Sequence, residues 1–210
     1  MKKILLLLIG IILSYMPSFA DVVPYSINDI SRNSIGVYQA ENKFQLRKEP
    51  RMNSEVLLEA TWSEYGTDFS PEDVFVAFYP QKNLGFFAVL DESEDMEWLK
   101  IVYKKNKTAW VKITDAYRYS TWRNFVNDYG RKYGMSYLRG VPNNYKSLYG
   151  SPDDNSKIIA TLVLPKIIKL SNVSGNWALV IIYDIDNSQK IGWLKWRIQD
   201  GTIYMFPKIH

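Results

Sequence analysis

Cysteine is absent from this chain of 210 residues, and its one histidine is the terminal His210. Without cysteine there are no disulfides, no thiolate metal sites, no thiol nucleophile and no lipidated cysteine at the N-terminus. A single histidine excludes a histidine-based catalytic triad and a multi-histidine metal site. The sequence therefore favours a binding or structural protein, with no cofactor and no metal, over an enzyme of those classes.

A strong excess of positive charge is also missing. Lysine and arginine number 26 against 22 aspartate and glutamate residues, which gives a formal net charge of +4. Nucleic-acid-binding domains carry a dense basic stripe, so we expect no nucleic-acid partner. Hydrophobic residues make up 47% of the chain and aromatic residues 15%. This content is enough to build cores, and it excludes a wholly disordered chain.

The first 20 residues have the order of a secretory signal peptide. Lys2 and Lys3 precede an apolar run at 4–13, and the small residues Ser18 and Ala20 follow it in a small-x-small order. Ten helical residues span about 15 Å, half of the roughly 30 Å hydrocarbon core of a bilayer, so an uncleaved anchor is the weaker alternative. We expect cleavage after Ala20, a periplasmic or extracellular mature protein, and no stable membrane insertion afterwards.

A pattern of residues occurs twice, 102 positions apart. Five residues of the first copy reappear in the second: Leu46, Pro50, Asn53, Ser54 and Val56 correspond to Leu148, Pro152, Asn155, Ser156 and Ile158. In each copy a strand led by tryptophan follows, at Trp98 and Trp177, and then a short strand around Trp110 or Trp193. Three blocks in the same order predict a duplicated domain.

The first copy is longer than the second. From the repeated proline to the tryptophan that leads the next block, the first copy spans 48 residues and the second 25. Two aromatic, β-prone runs, at 74–79 and 85–90, lie in this interval with a turn-forming segment between them. We therefore predict an inserted hairpin at about 62–90.

One segment between the copies has the period of a helix. Its apolar stripe at i, i+3, i+4 and i+7 consists of Trp122, Phe125, Val126 and Tyr129. Ser120 or Thr121 is available as the N-cap and Gly130 as the stop. We predict a helix at about 121–130, whose aromatic stripe packs against one or both copies.

The repeated pattern resembles the bacterial SH3 domain, a small β-barrel often found in tandem on exported bacterial proteins. Arg47 and Pro50 are similar to that family's opening strand and turn, and the blocks led by Trp98 and Trp177 to its G-x-W-x-x-V strand. The segments Ala-Trp-Val and Gly-Trp-Leu around Trp110 and Trp193 resemble its closing G-W-V. The second copy departs from the pattern by a tyrosine, Tyr149, at the usual arginine.

The resemblance implies a mostly all-β fold of two small SH3-like barrels joined by a short helical linker. The expected order is a signal peptide at 1–20, an extension at 21–43, a first barrel at 44–114, a linker at 115–145 and a second barrel at 146–207. Relatives of such barrels bind cell-wall peptides, glycans or protein partners. Many short strands and few helices favour small barrels or sandwiches independently of the family.

Tryptophans repeated in both copies are expected to fill a core or close a barrel: Trp98, Trp110, Trp177 and Trp193. Aromatic residues that are unique to one copy or lie near loops are better candidates for ligand contacts. These candidates are Trp62, Tyr65, Tyr117, Tyr119, Tyr149 and Trp196. Trp196 faces away from Trp193 and is either exposed or buried against the linker.

Aromatic faces stack on sugar rings or peptide backbones, and a nearby arginine pairs with the carboxylates of an acidic peptide. Arg47, Arg118, Arg123 or Arg197 could take that role, and Arg47 is the one we place among the site candidates. We therefore expect noncovalent, non-catalytic attachment to the cell envelope through a cell-wall peptide or glycan. The alternative is a periplasmic adaptor or assembly factor that binds an envelope protein through an edge strand or groove. A carboxylate glycosidase is a remote alternative, because the acidic residues cluster in predicted turns.

Overall fold

The computed structural model describes residues 20–105, 107–162 and 167–209, so residues 1–19 of the predicted signal peptide lie outside the described residues. The described chain is mostly β, as predicted, with one α-helix. It forms two separate antiparallel sheets, one from each half of the chain. Within these ranges no helix is long and apolar enough to cross a membrane.

The first sheet contains nine strands: β1 (Gly36–Gln39), β2 (Lys43–Arg47), β3 (Val56–Ser63), β4 (Gly66–Thr67), β5 (Ala77–Tyr79), β6 (Leu84–Glu92), β7 (Trp98–Tyr103), β8 (Lys107–Lys112) and β9 (Tyr119–Thr121). Their hydrogen-bonded order is β4-β3-β2-β8-β7-β6-β1-β9, and β5 pairs with β6. Strand β1 lies in the predicted extension and β9 in the predicted linker. The first sheet therefore extends beyond both ends of the first barrel predicted at 44–114.

The second sheet contains seven strands: β10 (Met135–Tyr137), β11 (Ser147–Tyr149), β12 (Ile158–Thr161), β13 (Ile167–Ser174), β14 (Trp177–Tyr183), β15 (Gln189–Lys195) and β16 (Met205–Pro207). Their order is β12-β11-β15-β14-β13-β10-β16. Without β4 and β5, the first sheet has the same order of strands. The duplication seen in the sequence is therefore a duplication of topology.

The two sheets also share their irregularities. A register shift lies between Leu46 and Arg47 in the first sheet and between Leu148 and Tyr149 in the second, at the same place in the repeat. The turn that follows has the same hydrogen bonds in both copies. The Ser54 Oγ accepts from the amide of Glu49, and the Ser156 Oγ accepts from that of Ser151, both at 2.9 Å.

The insertion is shorter than the predicted hairpin at 62–90. Strand β5 does pair with β6 across the turn at 80–83, with Phe78 opposite Gly85. However, β6 occupies the position of β13 in the second sheet, so it belongs to the repeated unit. The additional strands are β4 and β5. The N-terminal segment is bonded to β5, because Val22 and Phe78 exchange backbone hydrogen bonds.

The first sheet curls around one hydrophobic cluster. Strands β2, β6, β7 and β8 each turn alternate side chains inward, among them Leu46, Phe87, Leu99 and Val111. Within the described residues no strand pair joins the two ends of either sheet, so both are open, curled sheets.

The predicted helix is present as α1 (Trp122–Tyr133). The Thr121 side chain caps it by accepting a hydrogen bond from the amide of Asn124. The prediction that Gly130 ends the helix is wrong. Gly130 is buried within the helix, where an added Cβ would lie 2.6 Å from the Met135 sulfur, and the helix ends at Gly134, whose φ is +81°.

Helix α1 packs against both sheets, as predicted for its aromatic stripe, but its residues belong to the core of the second sheet and not to the cluster that the first sheet encloses. The ring of Phe125 lies 5.1 Å from that of Phe86 in the first sheet and 5.5 Å from that of Phe206 in the second. The Trp122 indole nitrogen donates to the Ser34 hydroxyl at 3.0 Å. One continuous cluster therefore contains residues of both sheets and the helix.

Candidate functional site

The repeated tryptophans lie on the outer faces of the sheets, not in the clusters that the sheets enclose. In β7, Leu99 and Ile101 point into the first core, so Trp98 points to the opposite face. In β14, Ala178 and Val180 point inward, and Trp177 points outward. Both tryptophans are nevertheless buried, with 3% and 9% of their surface exposed. Neighbouring side chains on the outer face must therefore cover them.

An open depression of about 720 Å³ lies beside Trp177 on the outer face of the second sheet. Its walls include Tyr145, Ser147, Tyr149, Asp154, Thr161 and Lys195, and it is called the second depression below. The rings of Tyr149 and Trp177 pack edge to face, with 5.1 Å between ring centroids and 78° between ring planes. The register shift at Tyr149 helps to place this ring at the depression.

Lys195 lies among these rings. Its ammonium nitrogen is 5.1 Å from the centroid of Trp177 and 5.6 Å from that of Tyr145, within the range of a cation–π contact. The same ammonium forms an ion pair with Asp154 from the turn after β11. The Lys195 side chain is only 16% exposed, whereas that of Asp154 is 66% exposed.

A depression of about 310 Å³ lies at the same place on the first sheet. We call it the first depression. Six of its lining residues correspond, position by position in the repeat, to the six lining residues given for the second depression: Lys43, Gln45, Arg47, Met52, Glu59 and Lys112. Trp98 also lines it, directly opposite Lys112 in the strand pairing, as Trp177 is opposite Lys195. Duplication has thus preserved a tryptophan–lysine pair in both depressions.

The two depressions differ in charge at the other positions. Where the second has Tyr145 and Tyr149, the first has Lys43 and Arg47. Lys43 forms a 3.6 Å ion pair with Glu59. The Arg47 guanidinium donates to the Ser54 carbonyl at 2.8 Å and to the Gln45 side-chain oxygen at 2.7 Å. The second depression therefore has two tyrosines where the first has two cations that already have partners. The first depression is also lined by apolar residues of the first core, among them Phe44, Phe87 and Val111.

Two of the residues predicted to contact a ligand, Arg47 and Tyr149, are brought to equivalent positions in these depressions. The structure does not place the other predicted residues with them. Tyr65 is 73% exposed and lies beyond β3, beside the inserted strand β4.

Two tyrosines at the start of the predicted linker pack against the first core. Tyr117 and Tyr119 are both partly buried there. The Tyr119 hydroxyl donates to the Ile35 carbonyl at 3.0 Å, and burial raises the pKa of this phenol. Their rings support the fold of the first sheet and lie outside both depressions.

The prediction that Trp62 and Trp196 contact a ligand is wrong, because neither ring is accessible to a ligand. Trp62 is 2% exposed and Trp196 is 1% exposed. Their indole nitrogens donate to backbone carbonyls, those of Glu41 at 2.8 Å and Gly175 at 3.1 Å. Of the two alternatives for Trp196, burial is the one observed, in the cluster that also contains the helix.

Sequence reasoning missed Tyr145, Lys112 and Lys195. The two lysines stand two positions after the repeated Trp110 and Trp193, so the repeat itself contained the signal. Alternation in a strand places a residue and its second neighbour on the same face. Among the described residues there is no group of three or more histidine, cysteine, aspartate or glutamate side chains arranged to hold a metal ion.

A comparison with models of known protein families finds no match, and a comparison with curated proteins finds no similar sequence.

Proposed function

We propose that this chain is an exported, non-catalytic binding protein that attaches noncovalently to the cell envelope, through a peptide or glycan of the cell wall. Its two repeated units act as SH3-like binding modules, and the depressions beside Trp98 and Trp177 take up the ligand. The observation that carries the proposal is that a depression lies at the same place on both sheets, in each case beside a tryptophan that pairs with a lysine.

The chemistry of the second depression suits such a ligand. The accessible faces of Tyr145 and Tyr149 offer stacking surfaces for sugar rings or peptide backbones, and Lys195 offers a positive charge. The shared core around helix α1 holds the two sheets together. If both depressions contact one polymer, the second contact forms at a high effective concentration, which raises the apparent affinity.

A protein-directed role as an adaptor or assembly factor is the second candidate, and the edge of the second sheet favours it. Strand β12 pairs with β11 on one side, and no strand of the described residues pairs with its other side. Ile158 and Ile159 on this strand are 52% and 47% exposed. An unpaired edge with exposed isoleucines is suited to the addition of a partner strand.

Sedimentation with purified peptidoglycan sacculi tests the proposal. We expect the chain from Asp21 onward to sediment with sacculi at moderate salt. Tyr149→Ala should lower the bound fraction several-fold, because it removes a wall of the second depression. Tyr183→Ala is the matched control, since Tyr183 lies on β14 but not in the depression. Circular dichroism verifies that both variants fold.

Complete recovery of the wild-type chain in the supernatant would contradict wall binding and favour the adaptor role. Equal loss of binding in the two tyrosine variants would contradict the assignment of the site to the second depression. Release of soluble muropeptides from the sacculi would contradict the non-catalytic assignment and favour the glycosidase.

A further inference from the structure

The ion pair in the second depression joins a fixed cation to an exposed anion. Lys195 is the last residue of β15, an interior strand of the sheet, and lies opposite Trp177 in the pairing of β14 with β15. Its ammonium group contacts the rings of Trp177 and Tyr145. Asp154 lies in the turn between β11 and β12, where two thirds of its side chain is exposed. The cation is therefore part of the wall, whereas the anion covers it from outside.

The turn that carries Asp154 is held together by other residues. The Ser156 Oγ accepts from the amide of Ser151, and the Asp153 carboxylate accepts from the amide of Asn155. Rotation of the Asp154 side chain away from Lys195 breaks neither of these bonds. Because Asp154 is exposed, water solvates its carboxylate once it leaves Lys195, and another carboxylate can take its place at small cost.

We infer that the second depression binds a ligand that carries a carboxylate next to an apolar group, and that Asp154 is an internal competitor for this ligand. The ligand's carboxylate takes the place of Asp154 on Lys195, and its apolar part lies against Tyr145 and Tyr149. This inference rests on the proposed function, because it names the ligand chemistry of the same site.

Burial and anchoring favour a carboxylate ligand over a cationic one. A cationic ligand would have to displace Lys195 from Trp177 and Tyr145, and so expose a side chain that is now 16% exposed. A carboxylate has to displace only the exposed Asp154. In the first sheet the position of Asp154 is occupied by Met52, and Lys112 instead forms a 3.7 Å ion pair with Glu97.

An NMR titration with N-acetyl-alanyl-alanine and with its C-terminal amide tests the inference. We expect the free acid to shift the backbone signals of Tyr149, Trp177 and Lys195 and to bind at least several-fold more tightly than the amide. Asp154→Asn should tighten binding of the acid by about twofold to fivefold, because it removes a solvent-exposed competing carboxylate. Lys195→Met should abolish the preference for the acid.

Lys169→Met is the matched control, because Lys169 also lies over a ring of this sheet, 5.1 Å from the centroid of Tyr183, but outside the depression. It should retain the preference for the acid. Equal binding of acid and amide, binding of neither, shifts at other residues, or no effect of Asp154→Asn would each overturn the inference.

Parallel sedimentation with sacculi separates the two proposals. Sedimentation without a preference for the acid would leave wall binding intact and overturn the carboxylate site. A preference for the acid without sedimentation would support the carboxylate site and overturn wall binding.

Discussion

The two sheets of this protein share one topology but differ in what they present outward. Where the first sheet has Arg47 and Lys43, each engaged by polar partners, the second has Tyr149 and Tyr145 around a buried lysine. Inward-facing positions remain apolar in both, since each must fill a core. The difference shows that the repeated fold tolerates different side chains at some positions of its outer face while it keeps the tryptophan–lysine pair.

The sheets also differ in whether the hydrophobic core of each is formed by residues of that sheet alone. The first sheet encloses a cluster formed by its own strands and the insertion. The core of the second is continuous with helix α1 and with residues of the first half, including Val37, Ala77 and Phe86. The second sheet therefore depends on the first for part of its packing, although the topologies are equal.

The largest expected effect comes from Trp122, which belongs to the shared cluster and is 1% exposed. Trp122→Ala should lower the free energy of unfolding by about 3–5 kcal/mol, as for other large-to-small changes of buried aromatic residues. Urea denaturation should show one transition at lower urea, seen alike by circular dichroism and by fluorescence. Trp122→Phe, which keeps a ring, should lose less. Two separate transitions in Trp122→Ala would show that the sheets fold independently.

A smaller effect on stability is expected at one position of the repeat. This position is Gly192 in the second sheet and Ala109 in the first. A Cβ added to Gly192 would lie 2.7 Å from the Tyr149 carbonyl oxygen, because β11 approaches β15 closely there. Gly192→Ala should cost about 1–3 kcal/mol of stability. The reverse change, Ala109→Gly, should cost about 0.5–1 kcal/mol.

Denaturation midpoints of the two variants check this order. A neutral Gly192→Ala would mean that β11 and β15 can separate without cost, and the sheets would then be equivalent at this position too.

The smallest effect tests the repeated turn. Ser54→Ala and Ser156→Ala each remove a hydroxyl that accepts a 2.9 Å hydrogen bond from a backbone amide. Each should lower the free energy of unfolding by about 0.5–1.5 kcal/mol, and Ser54 should lie toward the upper end because it is the more buried of the two. Urea titrations measure both. A loss in only one variant would show that the turns are alike in geometry but not in energy.

Local patterns predicted the elements whose signal is contained in a few adjacent residues. The stripe from Trp122 to Tyr129 predicted the helix, and β7 and β14 begin at the tryptophans that marked them. Strands β1, β9, β10 and β16 were not predicted, because each has only three or four residues and its partners are distant in sequence. Gly36, for example, pairs with Thr121, 85 positions later.

The candidate site was predicted only in part, for a similar reason. Arg47 and Tyr149 stood out because they differ at one repeat position. The burial of Trp62 and Trp196 could not be predicted from the sequence, because an indole at the end of a strand is equally compatible with a surface or a core position. Tyr145 reaches the second depression through its contact with Lys195, which is 50 residues away in the chain.

The sequence alone determined the duplication, the mostly β character and the position of the helix, since these follow from spacing and periodicity along the chain. Only the tertiary structure decided that the repeated tryptophans face outward, that a lysine joins each of them, and that one core continues from the first half into the second. The physical reason is that burial and charge pairing depend on which strands become neighbours. Six of the strand pairings among the described residues join strands that are not consecutive in the chain.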